Sequence, residues 1–227
     1  MDQKYYKAYE QRYKTVHSQT GMAWAGETPS KVLEEILKKY SINTNSAILE
    51  IGCGEGQNAL FLQKQGYNIK ASDVSNEAIK WCKQNAIKNN IPETNYFVLD
   101  VLDNNFQDSF DCIITVSTLH MLVLEEDRKG FLDFIYNHLN KNGIAIITVM
   151  GDGQKERNDC DITKAFDLSE REFNNQKINV TSTSCKIVNW QTLFKEFNNS
   201  NLKVIENYIS EEISGFNVSM VSIVSKK

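Results

Sequence analysis

The sequence lacks long apolar runs, paired cysteines and an excess of positive charge. No window of its 227 residues approaches the roughly 20 apolar residues of a membrane span, and the first residues lack the apolar segment of a signal peptide. The five cysteines are scattered and show neither CxxC nor metal-ligand spacing. These absences predict a cytoplasmic protein with no membrane association, no disulfide framework and no metal site.

The charge balance also limits the class of partner. Lysine and arginine number 25 against 29 aspartates and glutamates, which gives a formal net charge of −4. Tight binding to a phosphate backbone needs clustered cations, so this balance predicts no nucleic-acid partner. A hydrophobic content of 41% with 24% charged residues is typical of a folded domain and excludes collagen-like and disordered chains.

From Ala47 onward, short apolar segments alternate with helical stretches. The segments AILEIG, YNIKASD, NYFVLD, FDCIITVS and IAIITVM have the length and composition of buried strands. Such strands imply a parallel sheet covered on both faces, because each crossover lays a helix over the sheet. Two late segments, LKVIENYIS and FNVSMVSIVS, predict an antiparallel hairpin at the edge. The predicted fold class is therefore α/β, doubly wound.

Capping residues predict where several helices begin and end. Thr28–Pro29 has the pattern of a helix start, and Ser75 predicts the start of a later helix. Asn142–Gly143 would close a helix over FLDFIYNHLNK. In the polar stretch after the fifth strand, Ser169–Glu172 has the spacing of a capping box and predicts a short helix.

The length favours one enlarged domain, since average domains have roughly 150 residues. We divide the single domain of residues 1–227 into four segments. They are an amino-terminal helical cap (1–28), a cofactor-binding core (29–150), a substrate-side excursion (151–188), and a carboxyl-terminal helix with a strand hairpin that completes the sheet (189–227).

The segment Glu50–Gly56 contains three glycines in five residues, directly after a predicted strand and before a predicted helix. Glycine allows positive φ and close approach of a ligand to the backbone, so this turn predicts main chain pressed against a small molecule. The sixth position from Gly52 is Gln57, where a dinucleotide-binding turn has glycine. No lysine followed by Ser or Thr closes the turn, which argues against a nucleoside triphosphate site.

Three carboxylates follow consecutive predicted strands: Glu50, Asp73 and Asp100. Parallel strands would bring them to one edge around the glycine turn, where they would repel a diphosphate and attract a cation. S-adenosylmethionine fits such an edge because it carries a sulfonium, an ammonium, two ribose hydroxyls and an adenine amino group. NAD and NADP fit it poorly.

The run ILEIGCGEGQNALFLQKQGY, with ASDVS and VLDV downstream, resembles the motifs of class I S-adenosylmethionine-dependent methyltransferases. The resemblance extends from Ile48 to about Met150. It implies a Rossmann-like sheet of seven strands, mostly parallel with an antiparallel last strand and helices on both faces. It also implies S-adenosylmethionine as cofactor and S-adenosylhomocysteine as product.

The resemblance assigns a role to individual residues. The three glycines would line the methionine part and Glu50 would lie near its ammonium, while Asp73 would hold the ribose hydroxyls. Asp100 would accept a hydrogen bond from the adenine amino group, Val101 would contact the ring edge, and Ser117 would face the methionine moiety. The predicted cofactor-binding residues are Trp24, Glu50, Gly52, Cys53, Gly54, Gly56, Asp73, Val74, Asp100, Val101 and Ser117.

The amino-terminal stretch resembles the helical cap of the family's small-molecule branch. Trp24, in GMAWAGETPS, would lie against the cofactor. The Asn or Asp, two prolines and an aromatic residue that mark amide methylation in the family are absent after the fourth strand. We therefore expect a small-molecule acceptor, in a monomer or a homodimer.

Methyl transfer is an in-line displacement that depends mainly on positioning, and a base is needed only when the acceptor atom arrives protonated. His120, just past the fourth strand, is the candidate catalytic base. Two alternatives remain. A basic patch of Lys4, Lys7, Arg12 and Lys14 would favour a protein or nucleic-acid substrate, and the chain could also bind cofactor without transferring a methyl group.

Overall fold

The computed structural model describes residues 4–21, 23, 29–103, 105–157, 161–173, 175–211 and 218–227. Within them the chain forms nine strands and six α-helices, and no helix there has the length and apolar character to cross a membrane. The helices are α1 (Ala8–Thr20), α2 (Lys31–Lys39), α3 (Gln57–Lys64), α4 (Asn76–Lys88), α5 (Glu125–His138) and α6 (Trp190–Asn199). The strands are β1 (Ile48–Ile51), β2 (Ile69–Asp73), β3 (Tyr96–Val98), β4 (Phe110–Val116), β5 (Leu139–Met150), β6 (Leu168–Phe173), β7 (Gln176–Thr181), β8 (Leu202–Ser210) and β9 (Ser219–Lys226).

Seven strands form one sheet in the order β3-β2-β1-β4-β5-β9-β8. The first five strands of that order run parallel, and β9 is antiparallel to both β5 and β8. The strand order reverses between β1 and β4, so the carboxyl ends of β1, β2 and β4 meet at the point where doubly wound sheets bind ligands. The predicted fold class and the antiparallel last strand are confirmed.

Both faces of the sheet are buried, which explains the near-continuous apolar strands. Leu49 and Ile51 of β1 face a cluster with α5 and α6. Ile48 faces the opposite cluster, which includes the apolar side chains of α2, α3 and α4. Side chains alternate along a strand, so one four-residue strand contributes to both halves of the core.

The start of α4 follows the capping prediction, and the start of α2 does not. Ser75 Oγ accepts a hydrogen bond from the backbone N–H of Ala78 at 3.1 Å, which confirms the predicted helix start. In α2 the residue before the first helical turn is Ser30, and Pro29 is already outside the helix. Thr28 lies outside the described residues.

The predicted end of the fifth helix is wrong. The helix ends at His138, and Asn142–Gly143 lies within β5. Strand pairing explains the difference, because Leu139 pairs with Phe110 and the Asn140 side chain donates to Asp111 Oδ1 at 2.7 Å. These long-range hydrogen bonds outweigh the local end signal.

The polar stretch after β5 forms a hairpin where we predicted a helix from Ser169–Glu172. Both residues lie in β6, which pairs antiparallel with β7. Ile178 and Val180 alternate on β7 and pack against Val16 of α1. Burial of this alternating face explains the strand, since a capping box alone contributes little without an apolar helical stripe behind it.

Candidate functional site

The glycine turn connects β1 to α3 with three residues at positive φ. Gly52, Gly54 and Gly56 have φ of 70°, 55° and 82°. A Cβ at Gly52 would lie 2.2 Å from Thr118 Oγ1, so close packing as well as backbone conformation requires glycine there. The Cys53 N–H donates to the Ser72 carbonyl at 2.9 Å and ties the turn to β2.

Asp73 joins the glycine turn to the start of α4. Its Oδ2 accepts from the Gly54 N–H and its Oδ1 from the Ser75 N–H, both at 2.9 Å. Each carboxylate oxygen retains capacity for a second hydrogen bond. Burial raises the pKa of Asp73 to about 6, against the backbone hydrogen bonds that favour the ionised form.

Glu50 is buried in β1 with 1% of its surface exposed. Its Oε1 accepts from Asn58 Nδ2 at 3.0 Å, while Oε2 is buried with no hydrogen-bond partner among the described residues. Burial raises the pKa of Glu50 to about 7, and the negative charge of Asp73 acts in the same direction. A positively charged or hydrogen-bond-donating ligand would satisfy this carboxylate.

Asp100 lies two residues beyond β3 and is contacted by the amino-terminal segment. Its carboxylate accepts from the Tyr6 hydroxyl at 3.1 Å and lies 3.1 Å from Lys7 Nζ. It also accepts from the Leu102 N–H at 3.2 Å. The neighbouring Val101 is partly buried against the core, so its backbone lies at the same edge.

Two predicted residues follow β4. Ser117 has φ of 58°, its N–H donates to the Thr148 carbonyl at 3.1 Å, and its Oγ is buried with no partner among the described residues. His120 is 1% exposed, and its Nδ1 accepts from the Met150 N–H at 3.3 Å. Burial and the nearby charge of Arg128 lower the pKa of His120 to about 3, so the imidazole is neutral.

The predicted cofactor matches this set of polar groups. Glu50 Oε2 and Ser117 Oγ are buried oxygens that can accept hydrogen bonds and have no partner among the described residues. Asp73 can accept two further hydrogen bonds beside those from the backbone. An ammonium and a pair of ribose hydroxyls supply such donors. Within the described ranges no group of three or more His, Cys, Asp or Glu residues is placed to hold a metal ion.

A family model described as a methyltransferase domain matches residues 49–147. That stretch runs from β1 into β5 and includes the glycine turn and all three carboxylates. The sheet around it has the architecture that the sequence resemblance implies. The part of the chain that contains the glycine turn and the three carboxylates is therefore similar to a methyltransferase domain.

Similar proteins come from several bacteria. The ubiquinone biosynthesis O-methyltransferase of Rickettsia bellii (strain OSU 85-389) is 29% identical over 126 residues, which are 55% of this chain and 50% of that protein. The probable S-adenosyl-L-methionine-dependent methyltransferase TehB of Haemophilus influenzae (strain 10810) is 25% identical over 50% of this chain and 39% of that protein. The chain thus spans about half the length, or less, of these curated relatives.

A solved structure supports the fold over almost the whole chain. The CcbJ methyltransferase from Streptomyces caelestis superimposes with a TM-score of 0.69 at 13% identity, over 97% of this chain and 98% of that one. At this identity the likeness concerns the fold, which includes the carboxyl-terminal strands outside the family model.

The seven-stranded sheet brings most of the predicted residues to one of its edges. Asp73 accepts a hydrogen bond from the glycine turn, and its charge acts on the nearby Glu50. Asp100 follows β3, the strand next to β2. Val74 is partly buried beside Asp73. Trp24 lies outside the described residues. The roles of all these residues toward a cofactor remain predictions.

The sequence did not predict the polar contacts of α1 with this edge. A Cβ at Gly54 would lie 3.0 Å from the Tyr13 hydroxyl, and Glu10 accepts from Ser75 Oγ at 2.7 Å. The spacing of Tyr5, Tyr6, Tyr9 and Tyr13 in the sequence predicts a helix face rich in aromatic rings that covers another part of the molecule. Their partners Asp100, Met121 and Asp127 were not visible because they lie 94 to 122 residues further along the chain.

His17 makes a largely buried polar contact between α1 and the rest of the domain, with 6% of its side chain exposed. Its Nε2 lies 2.9 Å from Glu55 Oε1 and its Nδ1 lies 3.3 Å from Glu77 Oε1, while the ring stacks on Trp81 with centroids 4.3 Å apart. Burial alone would lower the pKa of His17. The hydrogen bonds and charges of the two carboxylates outweigh burial and raise the pKa above its ordinary value.

We expect the His17 contact to make stability depend on pH. Because the folded-state pKa is raised, the contribution is complete below the unfolded pKa of about 6.5 and disappears as pH rises through the folded value. His17→Gln should cost about 1–2 kcal/mol at pH 6 and less at pH 9, as for a charge-assisted hydrogen bond. Urea unfolding from pH 6 to 9 measures the difference between the two proteins.

His138→Gln is the matched control, since His138 ends α5 and its Nδ1–H donates to the Asp108 carbonyl at 2.8 Å and not to a carboxylate. Its unfolding curve should keep the pH dependence of the wild type. A His17→Gln deficit that stays constant over the whole pH range would mean that packing on Trp81, and not charge, holds the ring.

Proposed function

We propose that this protein transfers the methyl group of S-adenosylmethionine to a small molecule. The observation that carries the proposal is the convergence of two buried carboxylates, Glu50 and Asp73, on a turn of three glycines at positive φ. A negatively charged edge of this kind favours a cationic nucleoside over a dinucleotide, whose diphosphate it would repel.

Each polar group has a proposed partner on the cofactor. Asp73 would accept the two ribose hydroxyls while it keeps its backbone hydrogen bonds, and Glu50 would attract the ammonium of the methionine part, directly or through water. Asp100 would accept from the adenine amino group. It now accepts from Tyr6 and lies beside Lys7, so cofactor binding would rearrange or share these contacts.

The acceptor would lie between α1, the turn after β4 and the segment following β7. There the Tyr9 hydroxyl lies 2.7 Å from Met121 Sδ, and burial raises the pKa of Tyr9 beside Thr183 and Cys185. The curated relatives are named for small-molecule O-methylation or as TehB, which supports a small acceptor.

Three of the four cations that could favour a nucleic-acid or protein substrate are already engaged. Lys7 pairs with Asp100 and Lys14 with Glu10, and Arg12 Nε donates to the Thr181 carbonyl at 2.9 Å. This leaves no continuous basic surface on α1, so the small-molecule proposal is favoured over that alternative.

A catalytic base is not required by the proposal. Efficient general bases have a pKa near the working pH, and the buried His120 has a pKa of about 3. The predicted catalytic role of His120 therefore has no support from its environment. Positioning of the acceptor in line with the sulfur–carbon bond would supply most of the acceleration.

Calorimetric titration with S-adenosylhomocysteine tests the cofactor assignment. The wild type should bind, and Asp73→Ala should weaken binding by about 1–3 kcal/mol, or roughly 5- to 150-fold, through loss of the ribose hydrogen bonds. Asp108→Ala is the control, because Asp108 pairs with Lys70 on the surface before β4 and should leave the affinity unchanged.

Two results would contradict the proposal. One is tight binding of NAD by the wild type with no binding of S-adenosylhomocysteine. The other is an unchanged affinity in Asp73→Ala. Cofactor binding without methyl transfer to any member of a broad acceptor panel would instead favour a binding protein that lacks transferase activity.

A further inference from the structure

Two buried thiols lie directly beneath the glycine turn. Cys53 belongs to the turn and Cys82 to α4, and they are 5% and 1% exposed. Both sulfurs approach the same atom, the Gly54 carbonyl oxygen, at 3.7 Å from Cys53 Sγ and 3.2 Å from Cys82 Sγ. A shared acceptor places the two thiols next to each other across 28 residues of sequence.

The packing around these thiols leaves little free space. A Cβ at Gly56 would lie 2.8 Å from Cys82 Sγ and 3.0 Å from Tyr96 Cε1. The turn therefore rests on the Cys82 sulfur on one side and on Asp73, through the Gly54 N–H, on the other. Any change in the distance between the two sulfurs must move the turn or the helix.

We propose that Cys53 and Cys82 form an oxidation site that controls cofactor binding, in which a hydroperoxide converts the two thiols to a disulfide. Only the expected effect on cofactor affinity rests on the proposed function. The pairing of the thiols is a property of the fold and can be tested without any cofactor.

The reaction balances with one hydroperoxide molecule. With hydrogen peroxide, one thiol sulfur, as thiolate, attacks an oxygen atom, an S–O bond forms and the O–O bond breaks. Hydroxide leaves and takes up the proton of that thiol to become water, which gives a sulfenic acid. The second thiol then attacks that sulfur, the S–S bond forms and a second water leaves. With hydrogen peroxide, two thiols lose two electrons and two protons, and the peroxide becomes two water molecules.

Bond formation would displace the turn more than the helix. A disulfide requires a sulfur–sulfur distance of about 2.05 Å, well inside van der Waals contact. Helix α4 is fixed by its Ser75 cap and by the buried Ala78, Ile79 and Ala86. The turn would therefore shift, and the Gly54 contact with Asp73 would be disturbed at the atoms proposed to hold the cofactor.

Burial beneath the glycine turn and α1 protects both thiols from oxidants in solution. Burial raises the pKa of Cys53, and the neighbouring Cys82 thiol and the charges of Asp73 and Glu50 act in the same direction, so the reactive thiolate is disfavoured. Tyr13 of α1 lies over Gly54. Oxidation should thus be faster when α1 is displaced, and bound S-adenosylhomocysteine should slow it.

The test compares reduced and peroxide-treated full-length protein. Trypsin should release Tyr40–Lys64, in which Cys53 is the single cysteine, and Trp81–Lys83, which contains Cys82. After hydrogen peroxide treatment, mass spectrometry should find these two peptides joined with loss of two hydrogens. Calorimetry should show S-adenosylhomocysteine affinity reduced at least tenfold, and a dithiol reductant should restore it.

Two variants distinguish oxidation of the Cys53–Cys82 pair from oxidation elsewhere in the protein. Cys82→Ser keeps a donor toward the Gly54 carbonyl, and its affinity should resist peroxide. Cys112→Ala removes another buried thiol, in β4, and should remain as sensitive as the wild type. Absence of the joined peptide, or equal loss of affinity in Cys82→Ser, would overturn the inference. If the reduced wild type does not bind S-adenosylhomocysteine, the proposed function fails while the joined peptide still decides the pairing.

Discussion

Gly52→Ala should weaken S-adenosylhomocysteine binding by about 3 kcal/mol, roughly 150-fold. Two costs combine at this residue. Its φ of 70° is unfavourable for any residue with a Cβ, and that Cβ would lie 2.2 Å from Thr118 Oγ1 and 2.6 Å from Thr118 Cγ2. The turn would relax in the free protein, and restoring its shape around the ligand would consume binding energy. Calorimetric titration of the variant measures this loss.

Two further variants separate the cost of the positive φ from the cost of the collision with Thr118. Gly66→Ala also places alanine at positive φ, 88°, but the nearest atom would be 3.6 Å away and the residue follows α3. It should lower stability slightly without affecting ligand affinity. Adding Thr118→Gly to Gly52→Ala removes the collision and should recover part of the affinity. Equal affinity in Gly52→Ala and the wild type would remove Gly52 from the cofactor site.

The sheet was predictable because its signals are local. Buried parallel strands give continuous apolar segments, helices between them give an apolar stripe, and Ser75 caps its helix through a side chain three residues from its partner. The turn Glu50–Gly56 was predictable for the same reason, since positive φ is required within the segment itself.

Features that depend on distant partners were not predictable from one sequence. Strand pairing that local patterns do not contain decided the helix end near Asn142–Gly143 and the hairpin where Ser169 suggested a helix. His17 offered no sequence signal for Glu55 and Glu77, because only the fold brings α1 against α4 and the glycine turn. The positions of the acidic residues in the sequence indicate that their carboxylates meet at one edge of the sheet. They do not indicate which other side chains contact those carboxylates.

Arg128→Leu should lower the free energy of unfolding by about 3 kcal/mol, because it leaves the mostly buried Glu196 carboxylate and two backbone carbonyls without their donor. The Arg128 side chain is 1% exposed, and its Nε and Nη2 donate to the two Glu196 carboxylate oxygens at 2.7 and 2.6 Å. Its Nη1 also donates to the carbonyls of Leu119 and Leu122 at 2.8 and 3.1 Å. The guanidinium thus joins α5 and α6 to the turn that carries His120.

A double-mutant cycle in urea can separate these contributions. Glu196→Leu added to Arg128→Leu removes the uncompensated carboxylate and should recover part of the stability, while the carbonyls of the turn after β4 stay without their donor. Lys129→Leu is the control, because this exposed neighbour pairs only with Asp133 one turn along α5 and should change stability by less than about 0.5 kcal/mol. A loss below about 1 kcal/mol in Arg128→Leu would mean that water reaches the pair and that the turn after β4 is held by its apolar residues, Leu119 and Leu122, alone.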